Sequence, residues 1–230
     1  MIQSNLDAVM ASVRSICQRA GRAEGSVTVV GVTKYSDASA VNEAMTAGLL
    51  HIAENRVQSA KDKFPLLNFS GRSVVRHLIG HLQTNKAKEA VQLFDLIQSV
   101  DSLKLVQEID KRAATVGKVQ DVLLQIDIAR EEQKFGLPEE ELGSLLAQVK
   151  ELTHVRVGGL MCMAPLTDNK DVIRQVFRRL KAHFDRISKE YAGSSNITMQ
   201  HLSMGMSGDY EIAIEEGATM VRIGSAIFKV

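Results

Sequence analysis

Tryptophan is absent from this chain and aromatic residues make up only 4% of it. Base-stacking platforms for single-stranded nucleic acid therefore have little to be built from. An excess of one charge is missing too: 28 basic and 27 acidic residues, spread along the chain, leave a net charge of +1. No electrostatic footprint for nucleic acid follows from that balance. The two cysteines, Cys17 and Cys162, are far apart and lack metal-ligand spacing. A reducing compartment and no disulfide are expected. The six histidines form no ligand pattern either, which argues against a metal site. No apolar run approaches the ~18 residues that span a bilayer. The N-terminus, Met1-Ile-Gln-Ser-Asn-Leu-Asp7, has no basic start followed by an apolar stretch, so no signal peptide is expected. These absences point to the cytoplasm. With three prolines and no low-complexity linker, one domain over residues 1–230 is the simplest organisation.

What is present is alternation. Hydrophobic residues make up 45%, enough for a sizeable core. Short apolar strands are expected at 27–33, 49–53, 74–79, 96–100, 119–128, 155–161, 198–202 and 219–223. Amphipathic helices are expected between them. An opening helix runs from Gln3 to about Ala20, and another from Ser39 to Ala47 with Gly48 as its stop. Others follow at 55–63, 83–94, from a cap at Asp101 or Ser102 to Thr115, from Pro138, at 171–191 and at 208–216. Eight strand–helix alternations predict an α/β fold, a closed (β/α)8 TIM barrel with an extra N-terminal helix. A doubly wound open sheet is the rival, and its usual six strands leave two unexplained.

Barrel enzymes and binding proteins build their sites at the C-terminal ends of strands. The notable polar residues fall there: Lys34 after the first strand, Asn55 after the second, His77 near the end of the third, Ser207 after the seventh, Gly224 and Ser225 after the eighth. Thr28, Val30, Val32 and Lys34 share one strand face, and Gly31 and Thr33 the other. If the small residues face the helices, Lys34 points into the mouth; a surface lysine is the alternative. A desolvated lysine there can attack an aldehyde and form a Schiff base. Met204-Gly-Met-Ser-Gly-Asp209 runs from a strand into a helix start, where free N–H groups attract anions. Arg222-Ile-Gly-Ser225 adds more amides, and barrels often bind phosphate after strands seven and eight. Ser207 as a mere helix cap and Gly224 as a mere turn residue remain open. Arg222 is expected to face inward beside a ring nitrogen, with a salt-bridging arginine as the alternative. His201 and Met161-Cys162-Met163 suit wall packing. Asp127 and the Glu131-Glu132-Gln-Lys134-Phe-Gly136 loop could shape the mouth, with a solvated loop as the alternative.

Six separated motifs carry a resemblance: Val32-Thr-Lys34, Glu54-Asn-Arg-Val-Gln58, His77-Leu-Ile-Gly-His-Leu-Gln-Thr-Asn-Lys86, Gly158-Gly-Leu-Met161, Leu202-Ser-Met-Gly-Met-Ser207 and Val221-Arg-Ile-Gly-Ser225. In order and spacing the chain resembles the pyridoxal phosphate homeostasis proteins (the YggS/PROSC group), which share the fold of the alanine racemase N-terminal domain. The resemblance implies a pyridoxal 5'-phosphate site. By it, Lys34 is the Schiff-base lysine and Asn55 the side chain near the ring and its hydroxyl. Ser207, Gly224 and Ser225 form the phosphate cradle, with Arg222 the partner of the ring nitrogen. The chain departs from the family pattern at Ala53, Arg76 and Ser36-Asp37, which alters local loop shape and not the cofactor.

The expected function is a non-catalytic protein that buffers or delivers pyridoxal phosphate in vitamin B6 homeostasis. The alternative is a pyridoxal phosphate-dependent amino-acid racemase, which needs a second acid/base on the opposite face of the cofactor. In alanine racemases a tyrosine from a separate β-rich domain supplies it, and the sequence given stops at Val230 with no such domain. An interaction module with a vestigial site is a third reading. Transient contact with apo-enzymes, no nucleic acid, no membrane, and a monomer or weak dimer complete the expectations.

Overall fold

The computed structural model describes residues 1–129 and 135–229. Among them eight parallel strands close into a barrel in chain order: β1 (Thr28–Val32), β2 (His51–Glu54), β3 (Val75–Leu78), β4 (Leu96–Val100), β5 (Gln120–Gln125), β6 (Val155–Met161), β7 (Ile197–Met206) and β8 (Met220–Ile223). β8 returns to pair with β1, Thr28 opposite Met220 and Val30 opposite Arg222. The helices are α1 (Ile2–Arg19), α2 (Ala38–Thr46), α3 (Val57–Lys63), α4 (Ala87–Leu93), α5 (Leu103–Thr115), α6 (Leu142–Val149), α7 (Lys170–Glu190), α8 (Tyr210–Glu215) and α9 (Ser225–Phe228). This is the expected TIM barrel with its extra N-terminal helix.

Covered on both faces, parallel strands read as near-continuous apolar runs, which is why β1, β4 and β6 stood out in the sequence. Val30, Ala53, Leu96, Leu123, Met161 and Met220 form the cluster inside the barrel. A second, larger cluster fills the layer between sheet and helices. α1 buries Ile2, Leu6, Val9, Val13, Ile16 and Cys17, a 3–4 residue spacing that makes one apolar stripe. Each such side chain contributes about 1.5–3 kcal/mol when fully buried. That stripe seals the outer layer beside α8 and α9, where Ser12 and Tyr210 share a 2.9 Å hydroxyl contact and Asn5 donates to the Ile227 carbonyl at 3.1 Å.

Several expected boundaries shift. β7 runs four residues past Leu202 to Met206, because Gly205, at φ +92°, lets the chain pass against α8; a Cβ there would lie 2.5 Å from the Ala213 Cβ. β5 stops at Gln125, and Ile126 then bridges to Leu137. Pro138 caps a 3-10 turn over Glu139–Glu141 in place of opening α6. The helix expected from Gln83 begins as a 3-10 turn, Thr84–Lys86. Asn55 lies in the turn before α3 and outside the helix expected to contain it. The four-residue α9 was not anticipated, since one turn is too short to show a period. Within the loop expected to shape the mouth, Glu131, Glu132 and Lys134 lie outside the described residues. Among the described residues no helix is long and apolar enough to cross a membrane.

Candidate functional site

The C-terminal ends of the strands open on a cavity of 680 Å³, and Lys34, Asn55, Ser207, Arg222, Gly224 and Ser225 all line it. Small-ligand sites typically span about 300–1,000 Å³. Barrel closure is what collects these residues. β7 pairs with β8, β8 with β1 and β1 with β2, so the six sit on four adjacent strand ends.

Strand parity holds for β1: Val30 lies inside the barrel and Val32 and Lys34 line the cavity, while Gly31 backs onto Leu49 in the outer layer. The expected desolvation of Lys34 is corrected, because its side chain is exposed at the rim. Its Nζ lies 4.9 Å from the centre of the Tyr35 ring, within cation–π reach. Behind it the backbone is firmly tied. Lys63 Nζ donates to the Thr33 carbonyl at 2.6 Å and to Glu54 Oε1 at 2.6 Å, and the Thr33 hydroxyl donates to the same carboxylate oxygen at 2.6 Å. Asn55 is held at the next strand end by Gly80, where a Cβ would lie 2.1 Å from the Asn55 carbonyl oxygen.

Ser207 and Gly208 form the turn between β7 and α8. The cap position belongs to Asp209, whose Oδ1 accepts from the Met206 N–H at 2.5 Å, so Ser207 is not the helix cap. α9 starts immediately after Gly224, and the first turn of a helix has N–H groups without intrahelical partners. A Cβ on Gly224 would press on Val32 at 3.3 Å, so the backbone leaves β8 flush against β1. Two amide-rich turns on neighbouring strands present N–H groups of the kind that suit an anion.

Arg222 is 3% exposed and donates through Nη1 to Ser203 Oγ at 2.8 Å and through Nη2 to the Cys162 carbonyl at 2.8 Å. Among the described residues it has no ion pair, so the salt-bridge alternative fails. Burial lowers its pKa, opposed by Cys162 and Asp209 through space. Burial likewise raises Asp209, while the Met206 N–H and Arg222 pull it down. The Cys162 thiol is pushed up to about 12 by burial and stays protonated. A cation at the base of the cavity with only neutral partners suits an electron-rich ligand atom.

Residues 4–230 match the sequence model of the family described as "Alanine racemase, N-terminal domain". A pyridoxal phosphate homeostasis protein of Aquifex aeolicus (strain VF5) is 40% identical over 223 residues, covering 97% of this chain and 95% of that one. The chain belongs to the pyridoxal phosphate homeostasis family. The family's member from Escherichia coli (strain K12) is 37% identical over 234 residues, with 99% and 95% covered. PipY of Synechococcus elongatus PCC7942, solved with PLP bound, superposes with a TM-score of 0.85 at 33% identity, covering 99% of this chain and 100% of PipY. An alanine racemase from Clostridium difficile 630 shares the fold alone, with a TM-score of 0.70 at 14% identity over 95% of this chain and 56% of that one.

Other residues at this family member's site escaped sequence reasoning. Ile79 and Gln125 line the cavity from the ends of β3 and β5, at the inward positions strand parity assigns, and Met163, expected only as wall packing, lines it from the end of β6. That parity was a signal available in the sequence. At the rim, Phe135 of the loop expected to shape the mouth stacks on the His81 ring at 3.7 Å between centroids, a pairing no local pattern shows, and His81 Nδ1 lies 3.1 Å from Asp101 Oδ2. His77, expected near the mouth, is buried inside the barrel instead, and His201 is half-buried lower on β7.

Proposed function

We propose that this family member holds pyridoxal 5'-phosphate as a Schiff base on Lys34, and buffers or delivers it in vitamin B6 homeostasis without catalysing a reaction of its own. The observation that carries the reading is the buried Arg222, unpaired by any carboxylate among the described residues, at the base of the same cavity that Lys34, Ser207 and Gly224 line. A phosphorylated pyridine aldehyde fits that donor set at three points. The bound cofactor supplies an aldehyde carbon, to which the lysine nitrogen adds with loss of water. Ser207, Gly224 and Ser225 bind the phosphate through hydroxyl and amide donors. Asn55 orients the ring beside Lys34. Arg222, a permanent cation that can only donate, faces the ring nitrogen and keeps it unprotonated. PipY, a third identical to this chain, was solved with PLP bound, which supports the same ligand here.

The exposed rim supports a carrier over a racemase. Controlled carbanion chemistry needs water kept out, and exchange needs a way in. A racemase also needs an acid/base on the face opposite Lys34. Tyr35 is 91% exposed beside the lysine itself, and the Tyr210 hydroxyl is engaged by Ser12 in the outer layer. We place the protein in the cytoplasm as one cofactor-holding domain, a monomer or weak dimer that meets apo-enzymes transiently.

Borohydride reduction followed by mass spectrometry tests the covalent assignment. Wild-type protein should carry one cofactor mass on the peptide containing Lys34, and Lys34→Ala should lose both that mass and the visible absorbance. Retention of either by the variant overturns the assignment. Robust cofactor-dependent racemisation of any common amino acid would overturn the carrier reading.

A further inference from the structure

Beneath the cavity, side-chain hydrogen bonds cross the barrel interior without a break. Arg222 Nη1 donates to Ser203 Oγ at 2.8 Å, and Ser203 Oγ donates to Gln98 Oε1 at 2.6 Å. Gln98 Nε2 lies 2.9 Å from His77 Nδ1, and His77 Nε2 lies 3.1 Å from His51 Nδ1. Ser203, Gln98 and His77 are fully buried, and His51 is half-buried at the start of β2, the end of the barrel away from the mouth.

The direction of every proton follows from the charge at one end. A guanidinium has no acceptor, so Ser203 must accept from it, which leaves the hydroxyl proton for Gln98 Oε1. The amide group is thereby oriented with its NH2 toward His77, where it also meets Met220 Sδ at 3.1 Å. Were the amide turned over, Ser203 would take two donors and its own buried proton would lose its acceptor. His77 Nδ1 must then accept, so His77 carries its proton on Nε2 and gives it to His51 Nδ1.

We propose that Ser203, Gln98 and His77 are positioning residues for Arg222: a one-way hydrogen-bond series that holds the guanidinium toward the cofactor ring and couples its hold to the charge state of His51. The proposal rests on the reading of Arg222 as the ring-nitrogen partner. A neutral series suits this task better than a carboxylate, which would neutralise the cation. The coupling arises because protonated His51 presents a proton to the Nε2 proton of His77. Relief requires the tautomer of His77 to switch, the Gln98 amide to turn over, and the Ser203 proton to be stranded beside Arg222. Facing His51 are His77 from β3 and His201 from β7; the ion-paired Asp121 and Arg156 on β5 and β6 act on His201, and Asp95 acts on His77. Burial, then His201, lowers the pKa of His51, and burial, then His51 and His201, lowers that of His77 to about 3. At neutral pH both rings are uncharged and the series is intact.

Two measurements test this. On ligand-free protein, long-range 1H–15N spectra should show His77 as the Nε2–H tautomer. In Gln98→Glu the carboxylate can only accept, so His77 should switch to Nδ1–H. On binding, pyridoxine 5'-phosphate has the ring and phosphate without the aldehyde, so it reports the non-covalent hold alone. Its affinity should fall about tenfold in Gln98→Met, the size of one hydrogen bond to a charged group. Inorganic phosphate should bind both proteins alike. The wild-type hold on pyridoxine 5'-phosphate should also weaken as His51 takes up its proton, and Gln98→Met should lose that pH dependence. Ser203→Ala, a smaller change, repeats the binding test if Gln98→Met fails to fold. A His77 Nδ1–H tautomer in the wild type, or undiminished binding by the variants, overturns the proposal. If wild-type protein binds no pyridoxine 5'-phosphate, the function reading falls instead, and the tautomer spectra decide the hydrogen-bond series on their own.

Discussion

Lys63 and Arg222 carry the same charge, both largely shielded from water, on opposite faces of one sheet. Lys63, behind β1 and β2, donates to Glu54 Oε1 at 2.6 Å and to the Thr33 carbonyl at 2.6 Å. Arg222, inside the barrel, meets only a hydroxyl and a carbonyl. The first arrangement quenches its own charge and ties down the backbone next to Lys34. The second leaves a cation whose field is directed at the cavity. Burying an ion without a counter-ion is unfavourable, so a chain that keeps one does so where a ligand completes it. The pair at Lys63 ties down the fold, and the cation without a carboxylate partner among the described residues lines the cavity.

The sharpest way to break the comparison is to make Lys63 resemble Arg222. Glu54→Ala strands the lysine, and denaturant unfolding should show a loss of about 3–5 kcal/mol, as for other broken buried pairs. A loss below about 1 kcal/mol would mean Lys63 is already solvated. The buried His77 supplies the next effect, through pH. His77 has a folded pKa of about 3 against an ordinary 6.5. Between those values the unfolded chain takes up a proton that the folded chain refuses, so stability is lost as pH falls below 6.5. One proton is worth about 1.4 kcal/mol per pH unit, so unfolding at pH 5 should be about 2 kcal/mol easier than at pH 7 on this account. His77→Gln should flatten that slope, and an unchanged slope contradicts the burial argument. The smallest effect sharpens the contrast from the other side. Arg222→Met should leave ligand-free stability within about 1 kcal/mol, since an uncompensated buried charge is exchanged for an apolar chain of similar length. Its affinity for pyridoxine 5'-phosphate should fall about tenfold, and a calorimetric titration reads both. A large stability loss with unchanged affinity would make Arg222 structural after all.

Much of the architecture was legible because parallel strands and amphipathic helices have local signatures. The stripe on α1 and the apolar runs of β1, β4 and β6 are written in neighbouring residues. Misplaced boundaries lay where a distant contact decides. β7 extends to Met206 because Gly205 can lie against Ala213, and no local pattern shows that approach. Lys34, Ser207 and Gly224 could be proposed from their places at strand ends. The exposure of Lys34 could not, because it depends on how distant strand ends pack around it. Gln98 was not singled out, and Ser203 entered only as part of the Leu202–Ser207 motif; the meaning of each comes from a partner 105 positions away.

By itself, then, the sequence determined the alternation of elements, the shared strand face of Val30, Val32 and Lys34, and the amide-rich turns after β7 and β8, since each rests on interactions within a few residues. Only closure of the barrel decided which strand ends would be neighbours, setting β1 beside β8 with Val30 opposite Arg222. Closure likewise decided that Arg222 would meet a hydroxyl and a carbonyl in place of a carboxylate. Burial and pairing across the barrel are properties of the packed chain, because the dielectric and the partner each group meets exist only once the strands have come together.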